Sequence, residues 1–221
     1  MKHYQVLSAL LLYPEQPMLD SLSELEEVLT ELPALHATLK PLFSCFAQED
    51  LIALQENYVA TFDRNPSHSL HLFEHIHGES RDRGQAMVDL MQEYKKHGLE
   101  MSGDDLPDYV PLFLEFLSQL DAQEAARMLA DAVHVLAHIG RKLQANGSPY
   151  AAVFEALQQL SPVEAEELSE PPVRDMDEAL ETFGPGSDGV EPLLKHHSGG
   201  PQTINFYPRG TRPQQAPRQP N

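Results

Sequence analysis

Residues 122–145 read AQEAARMLADAVHVLAHIGRKLQA, and this stretch decides the fold class. At about 100° per residue, Met128, Leu129, Ala132, Val135, Leu136, Ile139 and Leu143 fall on one side of a helix, while Arg127, Asp131, His134, His138 and Arg141 fall on the other. His134 and His138 have the i, i+4 spacing of a metal site, but on a charged face they read as two solvated histidines. The segment just upstream differs. Tyr109, Val110, Leu112, Phe113, Leu114, Phe116, Leu117 and Leu120 cover almost the whole circumference, which predicts a central helix. Its narrow polar strip holds Glu115, a carboxylate that needs a partner or a groove.

The same period runs outward to about Leu168, with no sustained apolar/polar alternation of strand length, so the chain is read as all-α. The predicted helices are 3–13, 18–32, 34–46, 50–63, 69–77, 81–97, 108–120, 122–145, 149–160 and 162–168. Ser21 with Glu24, Asp121 with Glu124, and Ser161-Pro162 with Glu164 have capping-box spacing; Ser148-Pro149 is an N-cap followed by proline; Gly98 and Gly147 sit where helices should stop. Residues 1–168 therefore form one predicted helical domain, and 169–221 an acidic linker and Pro/Gly-rich disordered tail. Within the tail, Thr203–Tyr207 alone is apolar enough to dock on something.

Formal net charge is -19. From Gly184 onward Lys195, Arg209, Arg212 and Arg218 outnumber Asp188 and Glu191, so the tail is about +2 and the body about -21. A field of that sign argues against nucleic-acid binding and polybasic membrane contact and favours an Arg-bearing partner. The single cysteine, Cys45, excludes an internal disulfide and fits the cytosol. The run Val6–Leu12 is interrupted by Ser8 and reads as a first helix, and no segment has the roughly 20 apolar residues of a membrane span.

Four of the 11 histidines lie between His68 and His77. His71-x-x-Glu74-His75 matches the H-x-x-E-H signature of inverted zinc peptidases, in which the glutamate is general base. On one helix, Leu72, Phe73 and Ile76 would face the core while His71, Glu74 and His75 face away, but no downstream glutamate stands out as a third ligand. In the following helix Met87, Leu90, Met91 and Tyr94 form the core face, with Arg83 inside that arc and Arg81 outside it. An inward arginine at a helix N-terminus opposes the macrodipole and must be paired; Glu74, Asp63, Asp108 and Glu115 are candidates. Gly84 lies at the edge of the same face, where glycine costs about 1 kcal/mol against alanine, so close approach of another backbone is expected there.

Together, Tyr58–Asp63, Leu72–Met87, Tyr94 with Gly98, and Leu106–Pro111 running into Leu114–Leu117 strongly resemble the NarJ-type respiratory nitrate reductase assembly chaperones of the all-helical TorD/DmsD superfamily. The resemblance implies a cytoplasmic, non-catalytic chaperone without a stably bound cofactor. Such a protein binds the N-terminal segment of the nitrate reductase α subunit and holds the apo-enzyme, including the apo αβ complex, during molybdenum cofactor insertion. Molybdenum cofactor biosynthesis proteins are further implied partners. Glu74, His75, Gly78, Arg81, Arg83 and Gly84 match the first family motif, and Leu106, Pro107, Asp108, Pro111 and Glu115 the second. On this basis Glu74, His75, Asp108, Tyr109, Phe113 and Glu115 are expected to meet the client peptide, and Asp63, Gly78, Arg81, Arg83, Gly84, Pro107 and Pro111 to shape the scaffold. The family pattern has an aliphatic residue at His71 and often histidine at Tyr109. The competing readings are a zinc hydrolase and a generic helical interaction module.

Overall fold

The architecture grows outward from the two stretches with the most apolar surface. In a computed structural model, which describes residues 1–77, 81–101 and 105–168, those stretches are α8 (Val110–Gln119) and α9 (Ala122–Ala145). Around them lie α1 (Lys2–Leu11), α2 (Gln16–Asp20), α3 (Leu22–Val28), α4 (Pro33–Gln48), α5 (Leu51–Tyr58), α6 (Leu72–His77), α7 (Arg81–Lys96) and α10 (Ala151–Leu160). Among the described residues the fold is all-helical, interrupted by one isolated antiparallel bridge between His71 and Tyr109. None of the described helices is long and apolar enough to cross a membrane.

α8 buries Val110, Pro111, Phe113, Leu114, Phe116, Leu117 and Ser118, as its nearly continuous apolar circumference requires. α1 packs along it; Ser8 Oγ donates to the Pro111 carbonyl at 2.8 Å, and the Met1 amino group donates to the Ser118 carbonyl. Asp121 caps α9 by accepting from the N–H groups of Gln123 and Glu124 at 3.0 and 2.9 Å, a contribution of about 1 kcal/mol. α7 and α9 end at Gly98 and Gly147, whose φ values of +73° and +66° need no Cβ. A second cap, Asp50, accepts from Ala53 N–H at 2.9 Å and starts α5.

The close backbone approach expected at Gly84 occurs elsewhere. Gly84 is exposed, and among the described residues a Cβ there would meet nothing within 4 Å. At Gly140 a Cβ would lie 2.7 Å from Phe154 Cβ, so α9 and α10 approach through this glycine. Periodicity places a residue on a face; it carries no information on what lies opposite.

Three predicted helices are revised. The 18–32 segment breaks at Ser21, whose hydroxyl donates back to the Pro17 carbonyl at 2.9 Å instead of capping the next helix. The 50–63 segment leaves α geometry after Tyr58 and closes with a π-turn over Val59–Asp63, where Arg64 N–H reaches the Val59 carbonyl at 3.1 Å. Residues 162–168 form no helix: Ser161 Oγ bonds the Val163 carbonyl at 2.9 Å, and Glu166 N–H donates to His134 Nδ1 at 2.9 Å. Ser148 also fails as a side-chain cap; its hydroxyl is buried without a partner among the described residues, and its carbonyl accepts from Ala151 N–H at 3.1 Å. Nor is His138 solvated. It is 8% exposed, with its ring 5.8 Å from that of His75, because α6 covers this level of α9.

Candidate functional site

Backbone pairing at the His71–Tyr109 bridge builds the corner. Leu72 N–H donates to the Asp108 carbonyl at 3.0 Å and Val110 N–H to the Leu70 carbonyl at 2.8 Å, which brings the starts of α6 and α8 together. Asp108 is completely buried there. Its Oδ2 accepts from Phe73 N–H at 3.0 Å and its Oδ1 from His71 Nδ1 at 3.3 Å, so it caps α6 from 35 residues away. Burial alone would raise this carboxyl; the bonds from His71 and Phe73, with the charge of Arg83 nearby, outweigh it and hold the group below the ordinary carboxylate range. Buried Pro107 completes the corner by accepting from the Tyr94 hydroxyl at 2.7 Å.

Of the four carboxylates considered for Arg83, Glu74 is its partner, at 2.9 Å. Both side chains keep partial exposure, 21% for Arg83 and 27% for Glu74, while Arg83 Nε is buried without a partner among the described residues. The pair braces α6 against α7. Gly78 lies outside the described residues, as do the Arg81 side chain, residues 169–221 and the apolar segment Thr203–Tyr207.

His75 faces the opposite way from that expected. It is 2% exposed with Nε2 2.8 Å from the Ser69 carbonyl, whereas Ile76 is 43% exposed. The reason is local: the bridge holds His71 outside the helix, so α6 starts at Leu72 and its buried face runs through Leu72 and His75. The H-x-x-E-H residues therefore do not converge. His71 is engaged by Asp108, Glu74 by Arg83 and His75 by Ser69. No cluster of three or more potential metal ligands occurs among the described residues.

Besides Glu74, paired with Arg83, the residues expected to receive a peptide divide into three groups. His75, Asp108 and Phe113 are buried, Phe113 at 2% exposure, and cannot touch a client while the corner is closed. Tyr109 is half-buried on one face. Its ring lies 5.4 Å from that of His71, and its hydroxyl lies near that of Tyr58. Burial raises the Tyr109 phenol, as do the nearby charges of Asp105 and Asp63, both exposed. Tyr58 in turn donates to the Leu11 carbonyl at 3.0 Å and meets Tyr13 edge-on at 5.5 Å. This aromatic chain leads to a groove of about 480 Å³ lined by Tyr13, Ile52, Glu56, Val59, Ala60 and Arg64. Ile52 is 68% exposed there.

Glu115 opens elsewhere, onto a smaller groove bordered by Tyr94, Leu112 and Phe116. Glu115 lies within α8, whereas Tyr109 stands at its N-cap in extended geometry at the His71 bridge, so the two side chains enter different surroundings. Sequence reasoning missed Tyr13, Ile52 and Tyr58 as parts of the Tyr109 face. They cluster through the π-turn at Val59–Asp63, which has no periodic signature. That turn is held by His68, whose Nδ1 donates to the Thr61 carbonyl at 3.0 Å while Nε2 lies 2.8 Å from Asn146 Nδ2.

The helical architecture has a solved counterpart. A crystal structure from Archaeoglobus fulgidus, described as a redox enzyme maturation protein, superposes with a TM-score of 0.56 at 22% identity, covering 72% of this chain and 91% of that one. The two chains share this helical fold. More specifically, a family profile described as "Nitrate reductase delta subunit" matches residues 23–156. The "Nitrate reductase molybdenum cofactor assembly chaperone NarJ" of Escherichia coli (strain K12) is 39% identical over 160 residues, 71% of this chain and 68% of that protein. The same organism's "Probable nitrate reductase molybdenum cofactor assembly chaperone NarW" is 48% identical over 111 residues, 50% of this chain and 48% of that protein. The chain belongs to the nitrate reductase delta subunit family, as a NarJ-type assembly chaperone and not an enzyme.

Proposed function

We propose that the chain is a dedicated chaperone of respiratory nitrate reductase. It binds the N-terminal segment of the apo α subunit and supports molybdenum cofactor insertion before the enzyme attaches to the membrane. The observation that carries this reading is the family match over residues 23–156, which spans the Asp108 corner and most of the Tyr109 face. On this reading the chaperone works in the cytoplasm, holds the apo αβ complex, and meets molybdenum cofactor biosynthesis proteins without retaining the cofactor. Residues 1–168 form the working domain and 169–221 a linker and tail.

We further place the client's leader on the Tyr109 face. Asp63, Asp105 and Glu56 supply negative charge beside an apolar strip of Tyr13, Ile52 and Val59, which suits an amphipathic segment bearing arginine. Glu74, already committed to Arg83, and buried Asp108 shape the corner and do not meet the arginines directly. Titration of the purified chain with a synthetic α-subunit N-terminal peptide tests the assignment. Saturable binding should weaken as salt rises and fall about tenfold or more in Tyr109→Ala and Ile52→Asp, each disrupting an interface of the size that loses roughly 1–2 kcal/mol per anchor. Binding unaffected by both substitutions would remove the leader from this face.

A further inference from the structure

The groove beside Glu115 is separate from the Tyr109 face and has its own chemistry. Phe116, 4% exposed, and buried Tyr94 form its floor, their rings 4.5 Å apart. Half-buried Leu99, Met101 and Leu112 form its walls. Exposed Glu100 and Glu115 stand at the rim, and neither has an ion-pair partner among the described residues. The volume is about 240 Å³. Sites for small molecules and cofactors run to roughly 300–1,000 Å³, whereas one or two large apolar side chains fit the smaller space. Rim carboxylates also repel a phosphate-bearing ligand.

We propose that this groove is a second docking site, for a short protein segment that inserts a leucine- or phenylalanine-sized side chain and sets arginine or lysine within one turn on either side of it. The apolar floor supplies the buried anchor on which such interfaces depend, and the two carboxylates select a basic flank. No other cation competes for them among the described residues: Lys96, the nearest lysine in sequence to Glu100, is bonded to Glu93 at 2.8 Å. The site is separate from the Tyr109 face: Leu112, Glu115 and Phe116 lie within α8, whereas Tyr109 stands at its N-cap and Ile52 on α5.

The test uses the full chain and a fluorescein-labelled ten-residue peptide with a central Leu-Leu pair flanked by arginines, beside an otherwise identical peptide with Ser-Ser at the centre. The Leu-Leu peptide should bind saturably and at least tenfold more tightly than the Ser-Ser control. Glu100→Gln with Glu115→Gln should weaken it about tenfold and flatten its salt dependence, the size expected for two rim charges. Glu24→Gln with Glu27→Gln, on remote α3, should leave it unchanged. Leu112→Asp should abolish binding, with circular dichroism reporting whether the helices persist. The α-subunit leader peptide should bind alongside it without competition. Equal binding of the two synthetic peptides, equal losses in both glutamine pairs, or competition between probe and leader would each overturn the second site. Loss of leader binding alone would count against the Tyr109 face instead.

Discussion

α9 and α7 are both long amphipathic helices, and they are held in different ways. α9 buries eleven of its 24 residues, including Gly140 and His138, whereas among the described side chains of the 16-residue α7 only Tyr94 is buried. α7 is held mainly by discrete ties. Arg83 pairs with Glu74, Tyr94 bonds Pro107 and packs tilted against Phe116, and Glu93 meets Arg127 of α9 at 3.3 Å. Packed area makes α9 part of the cooperative core, while a helix held by a few polar ties opens at a lower free energy. The Asp108 corner and the Glu115 groove both border α7, through Tyr94.

The contrast can be broken most severely in the core. Phe154→Ala should cost roughly 3–5 kcal/mol in urea unfolding, and Gly140→Ala about 1–3 kcal/mol because the new Cβ collides with Phe154. A loss below about 0.5 kcal/mol at Gly140 would mean that α9 and α10 can separate freely. Asp108→Ala comes next, at about 2–3 kcal/mol, since it strands the Phe73 N–H and the inner side of His71.

Asp108 also gives the corner a pH signature. Its folded pKa is depressed, so its contribution is complete above the ordinary carboxylate value of about 3.9 and is lost as pH falls through the lower folded value. Acid titrations of the wild type and Asp108→Asn should therefore run parallel near neutrality and converge below pH about 4. Parallel curves throughout that range would remove the carboxylate from the stability balance.

Smaller perturbations sharpen the view of α7. Arg83→Met should lower global stability by only about 1 kcal/mol, because the ion pair is partly solvated, yet speed amide exchange through the first turns of α7 several-fold. Unchanged exchange there would show that the pair does not tether the helix. Glu93→Gln should cost under about 0.5 kcal/mol, with the difference disappearing in high salt.

How much of this could be read from the residues varies with the physics involved. The 3.6-residue period of 122–145 and the apolar circumference of 109–120 correspond to α9 and α8, because a helix that buries a face must repeat it. Asp121, Gly98 and Gly147 mark real boundaries, since caps and positive-φ positions act within a few residues. Ser161-Pro162 satisfies the same local rule and starts no helix, because Glu166 N–H finds His134 across the chain. The Arg83 pairing was legible as a need but not as a choice among four carboxylates.

By itself the sequence determined an all-helical chain, its acidic character, and a family motif centred on the corner. The tertiary structure alone decided that His71 stands outside α6, that His75 turns inward, and that Tyr109 and Glu115 open onto different surroundings. The physical reason is range. Periodicity, capping and turn chemistry act over a few neighbours, whereas a buried carboxylate 35 residues away sets where α6 begins and hence which of its side chains face the core.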